Sequence, residues 1–230
     1  MATLENPALT PAPPALREAA ADLRHLLARG YPRERMLAVV GDRWRLAAAD
    51  RQMLRRGVYA PREAGARWAR LLPLAAVAGR AVALDGHNVI ITLETALAGG
   101  RLVAADDGVV RDIAQRGRHH QPGPRTLAAA ELALAALARA GAARALIWLD
   151  APLPKSGELA ADLTVLLARL GLAGEARAVR PPENLLRKHP GPVATSDSVL
   201  LDQVALPLDL AGQVIARDRL PCRVESLYFA

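Results

Sequence analysis

Short apolar runs that stop at an acid recur along the C-terminal two thirds of this chain. Ala81-Val-Ala-Leu-Asp85 runs straight into Gly-His-Asn88, and Leu102-Val-Ala-Ala-Asp106-Asp107-Gly108, Ala145-Leu-Ile-Trp-Leu-Asp150 and Pro192-Val-Ala-Thr-Ser-Asp197 repeat the arrangement. Runs of this length bounded by turn residues predict buried parallel strands. If the four are neighbours, right-handed crossovers carry their ends to one edge of the sheet, where α/β proteins place their chemistry. Between them lie helical stripes. Val89 to Leu97 is one; Leu127 to Ala140, apolar around most of its circumference and ended by Gly141, is a second. Ser156 is placed to cap a third, which carries Leu159, Leu163, Leu166 and Leu167 and stops at Gly171. The pattern predicts an α/β fold, a three-layer Rossmann-like parallel sheet with helices on both faces. Ala176 to Val179 adds a weaker strand, Arg187 and Lys188 mark a short basic helix, and Gln213 to Ala216 and Arg223 to Tyr228 read as edge strands.

The N-terminal third has a different period. Residues 1–14 contain four prolines and few large apolar groups, which predicts a mobile tail. Leu16, Leu23, Leu26 and Leu27 then share a helical face closed by Gly30, and Pro32 restarts the chain at a first helical position. Met36, Leu37, Val40 and Trp44 form the next stripe. Asp50 is placed to cap a third helix ending at Gly57, and a fourth begins near Pro61. The organisation predicted is a tail (1–14), a small all-α module (15–78) and an α/β domain (79–230), with the boundary between Pro73 and Gly79.

Charge sharpens this division. Residues 1–80 hold 14 Lys and Arg against 7 Asp and Glu, whereas residues 81–230 hold 16 of each, so the net +7 lies entirely in the helical module. A basic module beside an acid-bearing one suits a protein that holds polyanionic nucleic acid with one part and acts on it with the other. Arg29, Arg33, Arg35, Arg43 and Arg45 cluster in sequence around the Gly30-Tyr31-Pro32 turn as a candidate phosphate surface. A coding bias that favours Arg and Ala over Lys would raise the charge without any ligand, so both explanations stand at this point. The apolar stretches are broken by charges and too short to span a membrane, and the N-terminus lacks a secretory pattern, so the expected location is cytoplasmic. Cys222 is the one cysteine, which excludes a disulfide framework and a thiolate metal site.

The acids carry the candidate chemistry. Converging carboxylates repel one another unless protonated or bridged, and all-oxygen donors select hard cations such as magnesium or manganese. Such ions favour phosphodiester hydrolysis. Each acid taken alone is more at home as the N-cap of the next helix, and it is the four together that point to metal. His119 and His120, in the polar stretch Gln115 to Arg125, lack the one-face spacing of paired metal ligands and read as a loop. There is no Walker loop, no G-x-G-x-x-G after a strand and no G-x-S-x-G elbow, so nucleotide-cofactor and serine-hydrolase chemistry lose support.

Leu84-Asp-Gly-His-Asn-Val89 is similar to the opening strand of PIN-like nucleases, in the branch that begins Asp-Gly-x-Asn (NYN-type), and Ala194-Thr-Ser-Asp197 followed by Asp202 is similar to the closing acidic motif of that fold. Taken whole, the chain resembles the prokaryotic family called domain of unknown function 434, a helical module followed by a PIN-like domain. Arg29-Gly-Tyr-Pro-Arg33, Val40-Gly-Asp-Arg43, Asp106-Asp-Gly-Val-Val-Arg-Asp112 and Leu149-Asp-Ala-Pro152 with Lys155-Ser-Gly-Glu158 carry this resemblance. It implies metal-dependent RNA cleavage with Asp85, Asp150 and Asp197 at acidic positions, Asn88 orienting Asp85 or phosphate, and Glu94, Asp106, Asp107, Asp112 and Asp202 as candidates for the remaining ligand. Lys155, Arg111, Arg33, Arg35 and Arg43 are the expected substrate contacts. The helical module and the 115–125 loop depart from single-domain PIN toxins. A non-catalytic RNA- or ribosome-binding protein on the same scaffold is the competing expectation.

Overall fold

In chain order the elements of the computed structural model are β1 (Leu9–Pro11), α1 (Pro14–Ala28), α2 (Arg33–Arg43), α3 (Ala48–Gly57), α4 (Pro61–Trp68), a 3-10 turn (Leu74–Val77), β2 (Ala81–Asp85), α5 (Gly86–Leu97), β3 (Arg101–Ala104), β4 (Val110–Asp112), α6 (Pro124–Arg139), β5 (Arg144–Asp150), α7 (Ser156–Arg169), β6 (Gly174–Val179), α8 (Glu183–Lys188), β7 (Val193–Ala194), α9 (Ser198–Gln203), β8 (Pro207–Leu208), α10 (Leu210–Asp218) and β9 (Arg223–Ser226). The structure describes residue 4, residues 6–114 and residues 121–228.

Five strands form an all-parallel sheet in the order β6-β5-β2-β7-β8. Counted along the chain the order is 3-2-1-4-5, so its direction reverses between β2 and β7, the position at which open α/β sheets place their ligands. Alternation along the strands covers both faces. Val82, Leu84, Ala145, Ile147, Leu149, Ala194 and Leu208 join the main core with α5, α6, α7 and α10. Ala83, Trp148 and Val193 face the other way, onto α8 and α9 through Leu186, Leu200 and Val204. The expected α/β sandwich with an N-terminal helical module is therefore the observed architecture.

A second sheet, absent from the sequence reading, has the order β1-β9-β3-β4. Leu102, Val110 and Val224 point into the main core, while Val103, Ile113 and Leu227 pack among Leu16, Leu23, Met53 and Leu54 of the helical module. This sheet thus lies between α5 and α10 on one side and the module on the other. Four expectations are corrected here. The supposed tail holds β1, paired in register with β9 from Leu9–Val224 to Pro11–Ser226. The Leu102 strand belongs to the second sheet and not beside β2. Gln213 to Ala216 is helical, because its apolar residues continue the stripe of α10, and Arg223 to Ser226 is an interior strand rather than an edge.

Two caps also differ. α3 starts at Ala48, which leaves Asp50 inside the first turn. α7 is entered through Lys155 in the left-handed region (φ 58°), and the Ser156 hydroxyl donates back to the carbonyl oxygens of Asp150 and Leu153, 2.8 Å each.

Candidate functional site at the carboxyl edge of the parallel sheet

Asp85 is the last residue of β2, the strand at which the order reverses, and it is only 7% exposed. It heads α5 without capping it. Instead its Oδ2 accepts from the Asn88 side-chain amide, one turn into α5, and from Thr195 Oγ1 at 2.8 Å. Thr195 is brought there by register, since Ala194 pairs with Leu84 and the next residue lies beside Asp85. Burial, opposed by these two hydrogen bonds and reinforced by the charges of Asp197 and Glu183, pushes the Asp85 carboxyl up to about 6. No arginine or lysine forms an ion pair with it among the described residues.

The turn beneath Asp85 is dictated by packing. A Cβ on Gly86 would lie 2.6 Å from Leu149 Cδ2 and 2.9 Å from Ile147 Cγ2, so only glycine lets α5 leave β2 this close to β5. His87 is buried, and its Nδ1 accepts from the backbone N–H of Asp150 at 3.0 Å, which ties α5 to the end of β5. Asp150 lies two residues beyond Trp148, the register partner of Asp85. Its half-buried carboxylate has no hydrogen-bond or ion-pair partner among the described residues. Asp197 fulfils the capping reading through one oxygen, as Oδ1 accepts from Val199 N and Leu200 N at 2.9 Å each. Among the described residues its other oxygen keeps no such bond, and Glu183, exposed at the start of α8, has no hydrogen-bond or ion-pair partner.

The remaining acids are elsewhere and occupied. Asp106 is clasped by Arg24 through two bonds of 2.8 Å and accepts from Tyr59 N. Asp107 and Arg111, both fully buried, form a two-pronged pair at 2.6 and 2.8 Å, and Arg67 bridges Asp107 to Asp202. Burial disfavours the Asp107 charge, but Arg111 and then Arg67 outweigh it and hold its carboxyl below the usual range. Asp112 accepts from Thr95 Oγ1 and Ala114 N. Glu94 accepts from Thr126 Oγ1, and at the helical rise of about 1.5 Å per residue it lies roughly 13 Å along α5 from Asp85. The expected four-acid convergence is therefore corrected: β3 pairs in the other sheet, and only Asp85, Asp150 and Asp197 remain at or just beyond the ends of the parallel strands. Asp106, Asp107 and Asp202 are structural ion-pair partners. Among the described residues no three His, Cys, Asp or Glu side chains stand as a ready metal-holding group.

The expected cationic contacts divide similarly. Arg111 is not a surface residue; its Nε holds the Ser196 carbonyl oxygen at 2.8 Å and its guanidinium lies 5.0 Å from the Tyr59 ring centroid. Arg33 donates to the carbonyl oxygens of Val58 and Arg55 and stacks on the same ring. Arg43 is exposed, with Asp22 4.0 Å away. Arg29, Arg35 and Arg45 are exposed, as is Lys155 beyond the end of β5. His119 and His120 lie outside the described residues. Thr195 and Glu183 were missed by the sequence reading. Thr195 was within reach of it, since the pleat places the residue two before Asp197 beside the end of β2, whereas nothing local marks Glu183.

No solved structure matches this chain. The "Uncharacterized protein MJ0935" of Methanocaldococcus jannaschii is 29% identical over 202 residues, covering 87% of this chain and 96% of that protein. Two family models match, one after the other along the chain. Residues 15–70 match "Protein of unknown function (DUF434)", which therefore covers the helical module and not nearly the whole chain. Residues 74–213 match a second model that takes in the parallel sheet and every residue of the acidic edge, so the chain belongs to the family described as "Domain of unknown function (DUF5616)".

Proposed function

We propose that this protein is a phosphodiester hydrolase of PIN-like type that acts on RNA in the cytoplasm, at the edge where β2, β5 and β7 end. The observation that carries the reading is a contrast in pairing. Asp106, Asp107 and Asp202 are each neutralised by arginine, whereas Asp85 is buried without a cation and Asp150 keeps its whole carboxylate unpaired. Such a donor set is all hard oxygen, and it suits a magnesium or manganese ion held by one or two carboxylates that retains water and takes substrate phosphate, rather than one enclosed in a protein cage. An ion of that kind supplies charge for a phosphate oxygen and lowers the pKa of a bound water.

The chain's own residues do the rest. Asn88 and Thr195 fix the orientation of the Asp85 carboxylate, and α9 fixes that of Asp197. Lys155, exposed in the turn that follows β5 and enters α7, offers positive charge to a phosphate. The resemblance of Leu84 to Val89 to the Asp-Gly-x-Asn opening of PIN-like nucleases supports the same assignment.

One observation favours a second reading. The absence of a three-side-chain metal group among the described residues suits an RNA- or ribosome-binding protein that keeps the scaffold without the reaction. Manganese titration and cleavage of labelled single-stranded RNA, on the wild type and Asp85→Asn, decide between them. Hydrolysis predicts metal-dependent cleavage and metal binding that both fail in the variant. Metal binding unchanged by Asp85→Asn, or turnover without any divalent ion, overturns it. RNA binding that weakens steeply with salt, with no cleavage in either metal, establishes the second reading.

A further inference from the structure

The arginines that the helical module sends toward the α/β domain are nearly all consumed by it. Arg24 clasps Asp106 and Arg67 joins Asp202 to Asp107. Arg70 fills the carbonyl oxygens of Val204 and Leu201 at 2.8 and 2.7 Å. Arg56, near the end of α3, is the exception. Its Nε donates to the Asp112 carbonyl oxygen at 3.1 Å, and its two terminal nitrogens have no partner among the described residues. The neighbouring Asp112 carboxylate is turned away, one oxygen toward Thr95 and the other toward the Ala114 N–H.

Position makes this vacancy meaningful. Asp112 follows Arg111 in β4, and Arg111 Nε holds the carbonyl of Ser196, the residue before Asp197. Arg56 is thereby anchored on the strand that braces the Asp197 turn. Burial, and after it the charge of Arg111, hold its pKa below the ordinary arginine value, while Asp112 and Asp197 act in the other direction. This is a half-buried cation with an unused planar fork, and that fork matches two oxygens of one phosphate.

We propose that Arg56 is a substrate-positioning residue that binds a backbone phosphate of the strand lying on the acidic edge, so that the site is completed by the helical module. The proposal rests on the RNA reading above for the identity of the strand, and on Arg56 alone for the phosphate. The test measures binding of a single-stranded oligouridine at several salt concentrations by fluorescence anisotropy, with the full chain and Arg56→Gln, Arg56→Lys and the exposed control Arg62→Gln, each checked for its melting temperature. The expected result is about a tenfold loss for Arg56→Gln, a salt dependence flatter by about 0.7 for one lost contact, partial retention in Arg56→Lys, and no comparable change in Arg62→Gln. Equal losses and equal slopes for Arg56→Gln and Arg62→Gln overturn the proposal. If the wild type binds no RNA, melting in inorganic phosphate against chloride of equal ionic strength separates the two failures. Phosphate stabilisation lost in Arg56→Gln keeps the phosphate site while the RNA reading falls, and no stabilisation of the wild type removes both. A variant too unstable to measure in both Gln and Lys forms makes Arg56 a structural residue and also overturns the proposal.

Discussion

Asp85 and Asp107 are both buried aspartates, and what separates them is the company of arginine. Asp107 has Arg111 on both oxygens and Arg67 beside them, so its carboxyl sits below the ordinary range. Its contribution to stability is present above the unfolded pKa of roughly 3.9 and is lost as pH falls through the lower folded value. Asp107→Asn leaves Arg111 buried with its main counter-charge gone, which costs roughly 3–5 kcal/mol. Urea unfolding at pH 7 measures this, and the deficit shrinks as pH falls below the unfolded pKa of roughly 3.9 toward the lower folded value. A loss below about 1 kcal/mol would show that Arg111 finds another partner. Asp85, lacking a cation, is pushed up to about 6 instead, which is why it and not Asp107 is the candidate ligand.

At the scale of elements, two helical glycines with ordinary backbone angles have opposite reasons to be there. Gly57 ends α3 where a Cβ would lie 2.7 Å from both Leu227 Cδ1 and Val103 Cγ2, so its smallness lets the helix seat on the second sheet. Gly65 lies inside α4 with nothing within 4 Å of its Cβ direction. Gly57→Ala should therefore destabilise by about 1–3 kcal/mol through overpacking, while Gly65→Ala should stabilise by up to about 1 kcal/mol through helix propensity. Thermal melts of the two variants check the signs, and a stabilised Gly57→Ala would mean that α3 can slide away from β3 without cost. The same close seating of α3 delivers Arg56 to the end of β4.

For the whole molecule, the boundary visible in composition and in the two family matches is not a boundary in packing. Val103, Ile113 and Leu227 complete the core of the helical module, and β1 supplies an edge to β9. Removing residues 1–72 strips one face of the second sheet and leaves β9 with an unpaired edge, so the remaining fragment should aggregate or lose cooperative melting rather than survive as a domain. Circular dichroism and light scattering on that fragment test this, and a sharp, concentration-independent transition would refute it.

The sequence by itself determined what local pattern can determine. Four-to-seven-residue apolar runs, glycine stops and leucine stripes sufficed for the four helices of the N-terminal module, for α5 to α8, for β2, β5 and β7, and for Asp85 at a strand end, because periodicity and turn chemistry act within a few residues, but not for α9 and α10. Leu102 to Asp107 carries the same signal as Ala81 to Asp85, yet only pairing could assign it to another sheet, since strand neighbours are chosen by side-chain fit between segments far apart in the chain. That choice decided which acids meet arginine and which remain unpaired. It also decided that Thr195 reaches Asp85 and that Arg56 of the helical module reaches the Asp112 carbonyl oxygen, on the strand that braces the Asp197 turn. Neither has a local cause, because each is a contact between elements brought together only by the tertiary fold, whereas the Asp197 cap reaches two and three residues along the chain and is local.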